Sequence, residues 1–325
     1  MPDLSIIFVN WNSSEYLRAC LNSIGLHTRG AALEIIVVDN ASPRDDVDRL
    51  KQEFPDIQLI KSKENLGFAR ANNAGFKQSS GKYILFLNPD TEVLDSAIPK
   101  MLERLQSLPR AGAVGCKLLN SDLSVQTSCI QRFPTILNQM LDIEALRLRW
   151  PACGLWRIDP LFSDAEQPSE TEVISGACLM IRRDVFEAVG LFSEEYFMYA
   201  EDADLCFKVC RAGFKNYFVG DARVIHHGGG SSKQKSEDQW AALAQRDAIL
   251  HFCRKFHGDL YAWMYRVSTT VAAAGRLLAM FPFSWVGSSA QKQSVLLTKK
   301  KWAAVLKWSV GSGGAARLRL TARRF

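Results

Sequence analysis

The sequence predicts an α/β fold in which a mostly parallel sheet is covered by helices on both faces. Two observations carry this prediction. Short apolar runs alternate with segments of helical periodicity in the first third of the chain, and strands that are apolar throughout are typical of parallel sheets buried on both sides. Polar residues also follow these runs directly, at the carboxyl ends of the strands, where such sheets bind ligands.

Four strands and two helices are predicted between residues 5 and 90. Each strand is a continuous apolar run of four or five residues, as expected for the centre of such a sheet. The strands are predicted at residues 5–9, 34–38, 57–60 and 83–87, and the helices at residues 15–24 and 68–78.

Polar side chains follow three of these strands. Asn10 follows the first strand, Asp39 ends the second, and Asn88-Pro89-Asp90 follows the fourth. A carboxylate at this edge of a sheet can ligate Mg²⁺ or Mn²⁺, which take oxygen donors and share them with a substrate diphosphate. Taken alone, a Pro-Asp-Thr sequence is also good turn and cap chemistry, and that plainer interpretation is favoured.

The middle of the chain is less regular. Residues 109–172 contain five prolines with aromatic residues between them, which predicts an irregular insertion over the site. Regular structure then resumes. The predicted elements are a strand at 173–181, helices at 184–189 and 202–212, a strand at 216–219 and a glycine-rich loop from residue 226.

Two further polar clusters are candidates for chemistry. Glu201, Asp202 and Asp204 lie at the predicted start of a helix, where carboxylates often only cap the helix and oppose its dipole. The functional alternative makes one of them a general base that takes a proton from an attacking hydroxyl. His226, before the glycine-rich loop, could complete a metal site or contact phosphate, although a single histidine is more often structural.

Residues 239–325 form a predicted helical region distinct from a domain over residues 1–238. From residue 240 onward the chain has 14 Lys and Arg against two Asp and Glu, so +12 of charge lies there and −6 in the remainder. Uncharged apolar runs stay below 18 residues, which argues against a spanning helix. Basic and aromatic residues together favour contact with a membrane surface over nucleic acid. The alternative is packing on the first domain or on a second subunit.

The cysteines bear on the cellular compartment. Eight are scattered along the chain without a CxxC pair, which predicts buried free thiols in a reducing compartment rather than a zinc site. The first apolar run is short and lacks a basic flank, so it is predicted to be a strand rather than a secretory signal. We therefore expect a cytoplasmic protein, peripheral at the inner face of the cell membrane.

The order of the motifs is more specific than any one of them. They are, along the chain, Val9-Asn10, Val37-Val38-Asp39-Asn40, Asn65-Leu66-Gly67-Phe68, Leu87-Asn88-Pro89-Asp90, Ser175-Gly176-Ala177, Glu201-Asp202-Ala203-Asp204-Leu205 and His226-His227-Gly228-Gly229. In this order they resemble family 2 glycosyltransferases of the GT-A fold, and within that family the bacterial rhamnosyltransferases. The resemblance covers about residues 3–235.

The resemblance implies a nucleotide-sugar site at the strand ends. One set of positions would hold the base and ribose, and a second set would lie along the nucleotide and its diphosphate. A third pair would lie under the donor sugar and the acceptor. The positions for the base and ribose are Val9, Asn10 and Asp39. Those along the nucleotide and its diphosphate are Asn65, Gly67 and Arg70. The pair under the donor sugar and the acceptor is Gly176 and Ala177.

The resemblance also implies the catalytic and metal-binding residues. Asp202 matches the catalytic base, with Glu201 beside it in an orienting or acceptor-binding role. Asp90 matches the last residue of the DxD metal motif, and His226 matches a histidine that completes the Mg²⁺ or Mn²⁺ site in some relatives. Asn88 stands where the motif usually has its first Asp, so this chain retains one carboxylate of the two.

The reaction implied by the resemblance is an inverting transfer of a sugar, with rhamnose favoured. The donor would be dTDP-rhamnose or a UDP-sugar, and the acceptor a glycan hydroxyl, on a polyprenyl diphosphate carrier, in cell-surface polysaccharide synthesis. Two rivals remain: a sugar nucleotidyltransferase and a non-catalytic nucleotide-sugar-binding or scaffold protein. The first usually has a glycine-rich basic loop after its first strand, where this chain has Asn10-Trp11-Asn12. The second would not need to retain the carboxylates and the histidine.

Overall fold

The computed structural model describes residues 2–28, 30, 32–43, 47–163, 167–228, 237–280 and 289–311. The chain forms two compact units. The first comprises the described residues of Met1–Phe133, Ile143–Phe197 and Glu201–Ser231, and the second those of Pro134–Asp142, Met198–Ala200 and Ser232–Phe325.

The first unit begins with four parallel strands in the order predicted from the sequence. They are β1 (Leu4–Asn10), β2 (Leu33–Asp39), β3 (Gln58–Lys61) and β4 (Tyr83–Leu87). Strand β1 pairs with both β2 and β4, and β2 pairs with β3, all in parallel. The connections contain α1 (Ser14–His27), α2 (Val47–Glu53) and α3 (Gly67–Gln78).

The remaining strands extend the same sheet and make it mixed. The further elements of this unit are β5 (Thr91–Val93), α4 (Ala97–Ser107), β6 (Ala111–Leu119), β7 (Ile130–Gln131), α6 (Glu144–Arg149), a 3₁₀ helix (Asp159–Phe162), β8 (Ser169–Thr171), β9 (Val173–Ile174), β10 (Cys178–Arg182), α7 (Arg183–Ala188), α8 (Glu201–Arg211) and β11 (Lys215–His226). Helix α5 (Ile136–Met140), between β7 and α6, belongs to the second unit. The strand order is β3-β2-β1-β4-β10-β6-β11-β5, with β8 beside β11. Strand β10 runs antiparallel to both of its neighbours.

The core lies on both faces of this sheet, as the apolar strands predict. Within β1, Ile6 and Phe8 are buried against one cluster and Ile7 against the other. Helices α1 and α4 contribute to the first cluster, and α3, α7 and α8 to the second. Since both faces are covered, polar groups of the inner strands are accessible only at the strand ends, which is where the candidate site lies.

Two sequence predictions are corrected by the structure. The strand predicted at residues 173–181 is two strands, β9 and β10, because Ser175-Gly176-Ala177 interrupts it. The insertion predicted at residues 109–172 contains a nine-residue buried strand, β6, at the centre of the sheet. Pro109 and the prolines after it favour a loop, but the apolar run that follows Pro109 forms a strand.

The second unit is helical. It contains α5, α9 (Glu237–Ala279) and α10 (Ser289–Val310), and α9 is kinked at Gly258, whose φ is +87°. Buried side chains of α9 and α10 form a small core of their own, which includes Cys253, Tyr265 and Trp308. No helix in the described part of the chain combines the length and apolarity needed to cross a membrane.

All eight cysteines are free thiols in the structure. Six are buried and two are partly exposed. Burial raises the pKa of Cys129 to about 11 and that of Cys253 to about 12. These thiols are therefore protonated and unreactive at neutral pH.

Candidate active site

The carboxyl ends of β1 and β2 bring Asn10 and Asp39 side by side. The two residues are partners in the parallel register, and both are buried. Asn10 Nδ2 lies 3.3 Å from Asp39 Oδ1 and 3.3 Å from Ser42 Oγ. Val9 precedes this pair on β1. A carboxylate fixed at a strand end can accept hydrogen bonds from ribose hydroxyls, which suits the predicted nucleotide role.

Asn40 connects this edge to the loop before α3. Its Nδ2 donates to Asn65 Oδ1 at 2.9 Å, and its Oδ1 accepts from the Leu66 amide at 2.8 Å. Asn65 Oδ1 also accepts from the Gly67 amide at 3.0 Å. Asn40 lies within the motif Val37-Val38-Asp39-Asn40, but the sequence did not predict it as a site residue. Its long-range role has no local sequence signal, because its partners lie 25 residues or more away.

Gly67 is required by its surroundings. Its φ is +76°, and a Cβ there would lie 2.3 Å from the carbonyl oxygen of Phe197. The same carbonyl accepts the Phe68 amide at 2.8 Å. Only glycine allows so close an approach of two backbones together with a positive φ.

Arg70 is half exposed on α3. Its Nε donates to the carbonyl oxygen of Glu194 at 3.1 Å, and the Glu194 carboxylate lies 3.9 Å away. These contacts attach α3 to the segment before α8. The predicted role of Arg70 along the nucleotide diphosphate stays a prediction.

Asp90, Asn88 and His226 meet at the end of β4. The antiparallel pairing of β11 with β5 sets His226 opposite Thr91. As a result, His226 Nε2 lies 3.4 Å from Asp90 Oδ1 and 3.3 Å from Asn88 Nδ2. Residues 138 apart in sequence are thereby brought into one cluster, as the order of motifs predicts.

Gln126 holds the ring of His226. Its Oε1 lies 3.0 Å from His226 Nδ1, and its Nε2 donates to the His226 carbonyl oxygen at 2.6 Å. Since Oε1 can only accept, Nδ1 donates to it, and Nε2 is the ring nitrogen that faces Asp90 and Asn88. Sequence reasoning missed Gln126, which lies in the region predicted to be irregular.

The donor set at this point fits a divalent metal shared with a substrate. A histidine whose far nitrogen is held by a hydrogen bond is the usual form of a metal-binding imidazole. Asp90 adds a carboxylate oxygen, and Mg²⁺ or Mn²⁺ commonly has few protein ligands and takes the rest from phosphate and water. Within the described residues, no three His, Cys, Asp or Glu side chains gather as a metal site.

Asp202 is fixed beside Gly176. Its Oδ2 accepts the Gly176 amide at 3.0 Å and its Oδ1 accepts the amide of Ala203 at 2.8 Å. A Cβ at Gly176 would lie 3.5 Å from the Asp202 Cβ. The next residue, Ala177, accepts the Asn88 amide on its carbonyl oxygen at 2.9 Å. The loop between β9 and β10 therefore contacts both the carboxylate at α8 and the polar end of β4.

Burial raises the pKa values of both acidic residues at the start of α8. Burial and the neighbouring Asp202 charge raise the pKa of Glu201 to about 8. Burial also raises the pKa of Asp202, against the two amides that stabilise its charge. A carboxylate with a raised pKa is a stronger base, and such shifts are common at catalytic sites.

Asp204 and His227 have other partners. Asp204 is fully buried, accepts from Ser193 at 2.6 Å and lies 3.4 Å from Lys208, so it holds α8 in place. His227 contacts Glu92 at 2.8 Å and Ser121 at 2.8 Å, away from Asp90. Asp204 therefore has a structural role, whereas the Asp202 carboxylate accepts both the Ala203 amide at the start of α8 and the Gly176 amide.

Comparison with families of known proteins gives two matches. The family described as glycosyl transferase family 2 matches residues 5–190, and glycosyl transferase family group 2 matches residues 156–310. Together they include every candidate site residue.

Two relatives are rhamnosyltransferases by name. The N-acetylglucosaminyl-diphospho-decaprenol L-rhamnosyltransferase of Mycobacterium tuberculosis is 30% identical over 237 residues, covering 69% of this chain and 76% of the relative. Rhamnosyltransferase WbbL of Escherichia coli is 25% identical, covering 68% of this chain and 82% of the relative.

A solved structure shares the fold. It is mannosyltransferase PcManGT from Pyrobaculum calidifontis in complex with GDP-Man and Mn²⁺, which superposes with a TM-score of 0.60 at 16% identity. The superposition covers 95% of this chain and 86% of that one. The predicted GT-A architecture is thereby confirmed.

Proposed function

The chain belongs to glycosyltransferase family 2, and we propose that it transfers rhamnose from a nucleoside diphosphate to a hydroxyl of a lipid-linked glycan. One observation carries the proposed chemistry. The half-buried carboxylate of Asp202 is held against Gly176, and the same loop contacts the strand end that holds Asn88 and Asp90. Gly176 and Ala177 thus connect the proposed base with the strand end proposed to bind the diphosphate.

The donor would bind along the carboxyl ends of β1, β2 and β4. Asn10 and Asp39 would contact the base and ribose, and the loop at Asn65 and Gly67 would lie along the diphosphate. The hydrogen bonds from Asn40 to that loop support this assignment, because they hold the two parts of the surface in one geometry before the donor arrives.

Asp90 and His226 would hold a divalent cation beside the diphosphate, with Asn88 next to them. The cation would supply charge neutralisation of the leaving nucleoside diphosphate. Gln126 would keep Nε2 of His226 available to the cation, because its Oε1 accepts a hydrogen bond from Nδ1–H. Support for this assignment comes from the donor set itself and from the Mn²⁺ in the mannosyltransferase of the same fold.

The reaction would be a single displacement with inversion. Asp202 would take the proton from the acceptor hydroxyl as its oxygen attacks the anomeric carbon, and the bond to the diphosphate breaks on the opposite face. No covalent sugar intermediate is required. Glu201, buried beside the base, would orient the acceptor or the base rather than take the proton itself.

A lipid-linked acceptor is supported by the Mycobacterium tuberculosis relative, whose name specifies a decaprenol-linked substrate. An acceptor of this kind resides in a membrane. We therefore also propose that the protein works at the inner face of the cell membrane, with its basic, helical second unit towards the lipid. The apolar side chains exposed on α9, among them Leu260 and Trp263, support this orientation.

Replacement of Asp202 tests the proposed chemistry. We expect Asp202→Asn to lower turnover by roughly 10²–10⁴-fold, because the general base is lost. Binding of the nucleotide should persist, since among the described residues the Asp202 carboxylate is hydrogen-bonded to the backbone amides of Gly176 and Ala203, away from the proposed nucleotide contacts. Turnover is measured as release of nucleoside diphosphate with a lipid-linked acceptor, and affinity by calorimetry.

The matched control is Asp48→Asn, which makes the same change at an exposed residue of α2. It should behave like the wild type. Near-normal turnover of Asp202→Asn would exclude the assigned base. A screen of dTDP-rhamnose against UDP-sugars, with Mg²⁺ or Mn²⁺ and after chelation, identifies the donor and the metal requirement.

A further inference from the structure

The second unit contains a cavity of about 150 Å³ between α5, α9 and α10. It is much larger than the roughly 30 Å³ that one water occupies. Three cationic side chains line it, Arg246, Arg276 and Lys301, against one carboxylate, Asp142. Its lining therefore has an excess of positive charge, unlike a cavity that only separates packed helices.

The two arginines converge on one aromatic ring. The guanidinium carbon of Arg246 lies 4.9 Å from the centroid of the Trp302 ring, and that of Arg276 lies 4.3 Å from it. Stacking of this kind holds a guanidinium in place and leaves its edge free to donate hydrogen bonds. Both arginines come from α9 and the tryptophan from α10.

Backbone carbonyls orient the same two arginines. Arg246 donates from Nη1 to the Ala242 carbonyl oxygen at 2.8 Å. Arg276 donates from Nη2 to the carbonyl oxygens of Met140 at 2.9 Å and Asp142 at 3.4 Å. Each guanidinium has five N–H donors, so these bonds leave Nε and other donors of each group unused by the described residues. The cavity is therefore lined by oriented guanidinium groups, some of whose N–H donors have no acceptor among the described residues.

The charges in the cavity repel each other. Burial lowers the pKa of Arg246, and burial together with the charge of Arg246 lowers the pKa of Arg276. Asp142 acts in the opposite direction on both. Two half-buried cations beside each other cost folding free energy, and an anion in the cavity would recover it.

We propose that this cavity is a binding site for a phosphate or diphosphate group, with Arg246 and Arg276 as the forked donors and Lys301 as an additional charge. Planar guanidinium groups match the oxygens of phosphate in pairs, and the cavity has room for a group of several heavy atoms. The site lies wholly within the second unit and is separate from the donor site. It does not depend on the proposed transfer reaction.

The site is tested by direct binding of inorganic pyrophosphate to the full chain. EDTA is included so that the strand-end site, which is expected to need a divalent metal, does not contribute. The wild type should bind one pyrophosphate per chain by calorimetry. Arg276→Gln should raise the Kd about tenfold or more, because a charge-assisted pair of hydrogen bonds is lost, and Lys301→Gln should also weaken binding.

Lys300→Gln is the matched control, since Lys300 is the exposed neighbour of Lys301 on α10. It should leave the Kd within about twofold of the wild type, as expected for an exposed charge. If Arg276→Gln fails to fold, Arg276→Lys retains the charge, removes the fork and should still weaken binding. Absence of pyrophosphate binding by the wild type, or equal Kd values for Arg276→Gln and Lys300→Gln, would overturn the proposal.

A second arm distinguishes the sources of the phosphate group. Phosphatidylcholine vesicles with and without phosphatidylglycerol are compared for binding of the wild type and Arg276→Gln. A defect of the variant with the anionic vesicles, together with displacement of the wild type by pyrophosphate, assigns the site to lipid headgroups. A defect with pyrophosphate alone assigns it to soluble phosphates. Because no sugar donor is present, failure here leaves the proposed transferase reaction untouched.

Discussion

Glu201 is a buried carboxyl next to the carboxyl of Asp202. Its ionisation makes the free energy of unfolding depend on pH. Burial and the Asp202 charge raise its pKa from the ordinary 4.5 to about 8. Between these pH values the unfolded chain loses the proton while the folded chain keeps it. The contribution of Glu201 therefore lowers the free energy of unfolding as pH rises across that window. Above about pH 8 this contribution stays constant.

We predict that Glu201→Gln removes this part of the pH dependence. The amide cannot ionise, so its stability relative to the wild type should increase between about pH 5 and pH 8, by at most a few kcal/mol. Urea denaturation at several pH values measures the difference. Glu187→Gln, at an exposed position of α7, is the matched control and should follow the wild type. Parallel loss of stability in wild type and Glu201→Gln would contradict the assigned ionisation.

At the residue scale, some site residues could be predicted from the sequence and others could not, depending on where their contacts lie in the chain. Asp90, Asp202 and His226 could be proposed because the motifs that contain them occur in an order that resembles family 2 glycosyltransferases, although each motif alone also fits a turn, a cap or a structural histidine. Gln126 and Asn40 could not, because their partners lie about 100 and 25 residues away and a single amide side chain has no local signature. Their roles depend on which loops the sheet brings together.

At the element scale, glycines mark where the pattern of strands and helices is interrupted for the site. The apolar run at residues 173–181 predicts one strand, yet it breaks at Gly176, where the backbone turns to donate its amide to Asp202. Gly67 plays a similar part at the start of α3, where two backbones approach closely. Hydrophobicity alone does not report such breaks, since they depend on a neighbouring segment.

We predict that Gly67→Ala destabilises the protein by about 2 kcal/mol or more, because it adds a clash to an unfavourable φ. Gly25→Ala is the matched control on α1, where a Cβ meets no atom within 4 Å. It should be neutral or raise stability by up to about 1 kcal/mol, since alanine is the better helix former. Thermal and urea unfolding measure both changes. Equal effects of the two substitutions would show that the Gly67 loop adapts without cost.

At the scale of the whole molecule, the second unit exposes apolar side chains along one side of α9. We call Leu260, Trp263, Val267 and Val271 the apolar stripe; their spacing of three and four residues places them on one helical face. Leu260 is 72% exposed and Trp263 62%. The cavity lined by Tyr265 and Arg276 lies on the opposite face of the same helix. One face of α9 thus lines the cavity with its charged side chains, and the other face presents the exposed apolar stripe.

We predict that the apolar stripe contributes to membrane binding. Replacing Leu260 and Trp263 together by Gln should lower the partitioning of the protein onto anionic vesicles by roughly tenfold or more, since two large apolar side chains would no longer enter the lipid. Co-sedimentation measures the bound fraction. Leu26→Gln, at a 70% exposed position of α1, is the control and should bind like the wild type. Unchanged partitioning of the double variant would exclude the stripe from membrane contact.

The sequence by itself determined the parallel strands β1 to β4, the polar residues at their ends and the family to which the chain belongs. The strands and the residues at their ends follow from local patterns, because apolar runs must be buried and the residues after them must emerge at an edge of the sheet. The family follows from the resemblance carried by the order of the motifs. Only the tertiary structure decided that β6 lies at the centre of the sheet, that Gln126 orients His226, and that Arg246 and Arg276 meet over Trp302. Those contacts join segments distant in the chain, and their free energy arises only when both segments are folded.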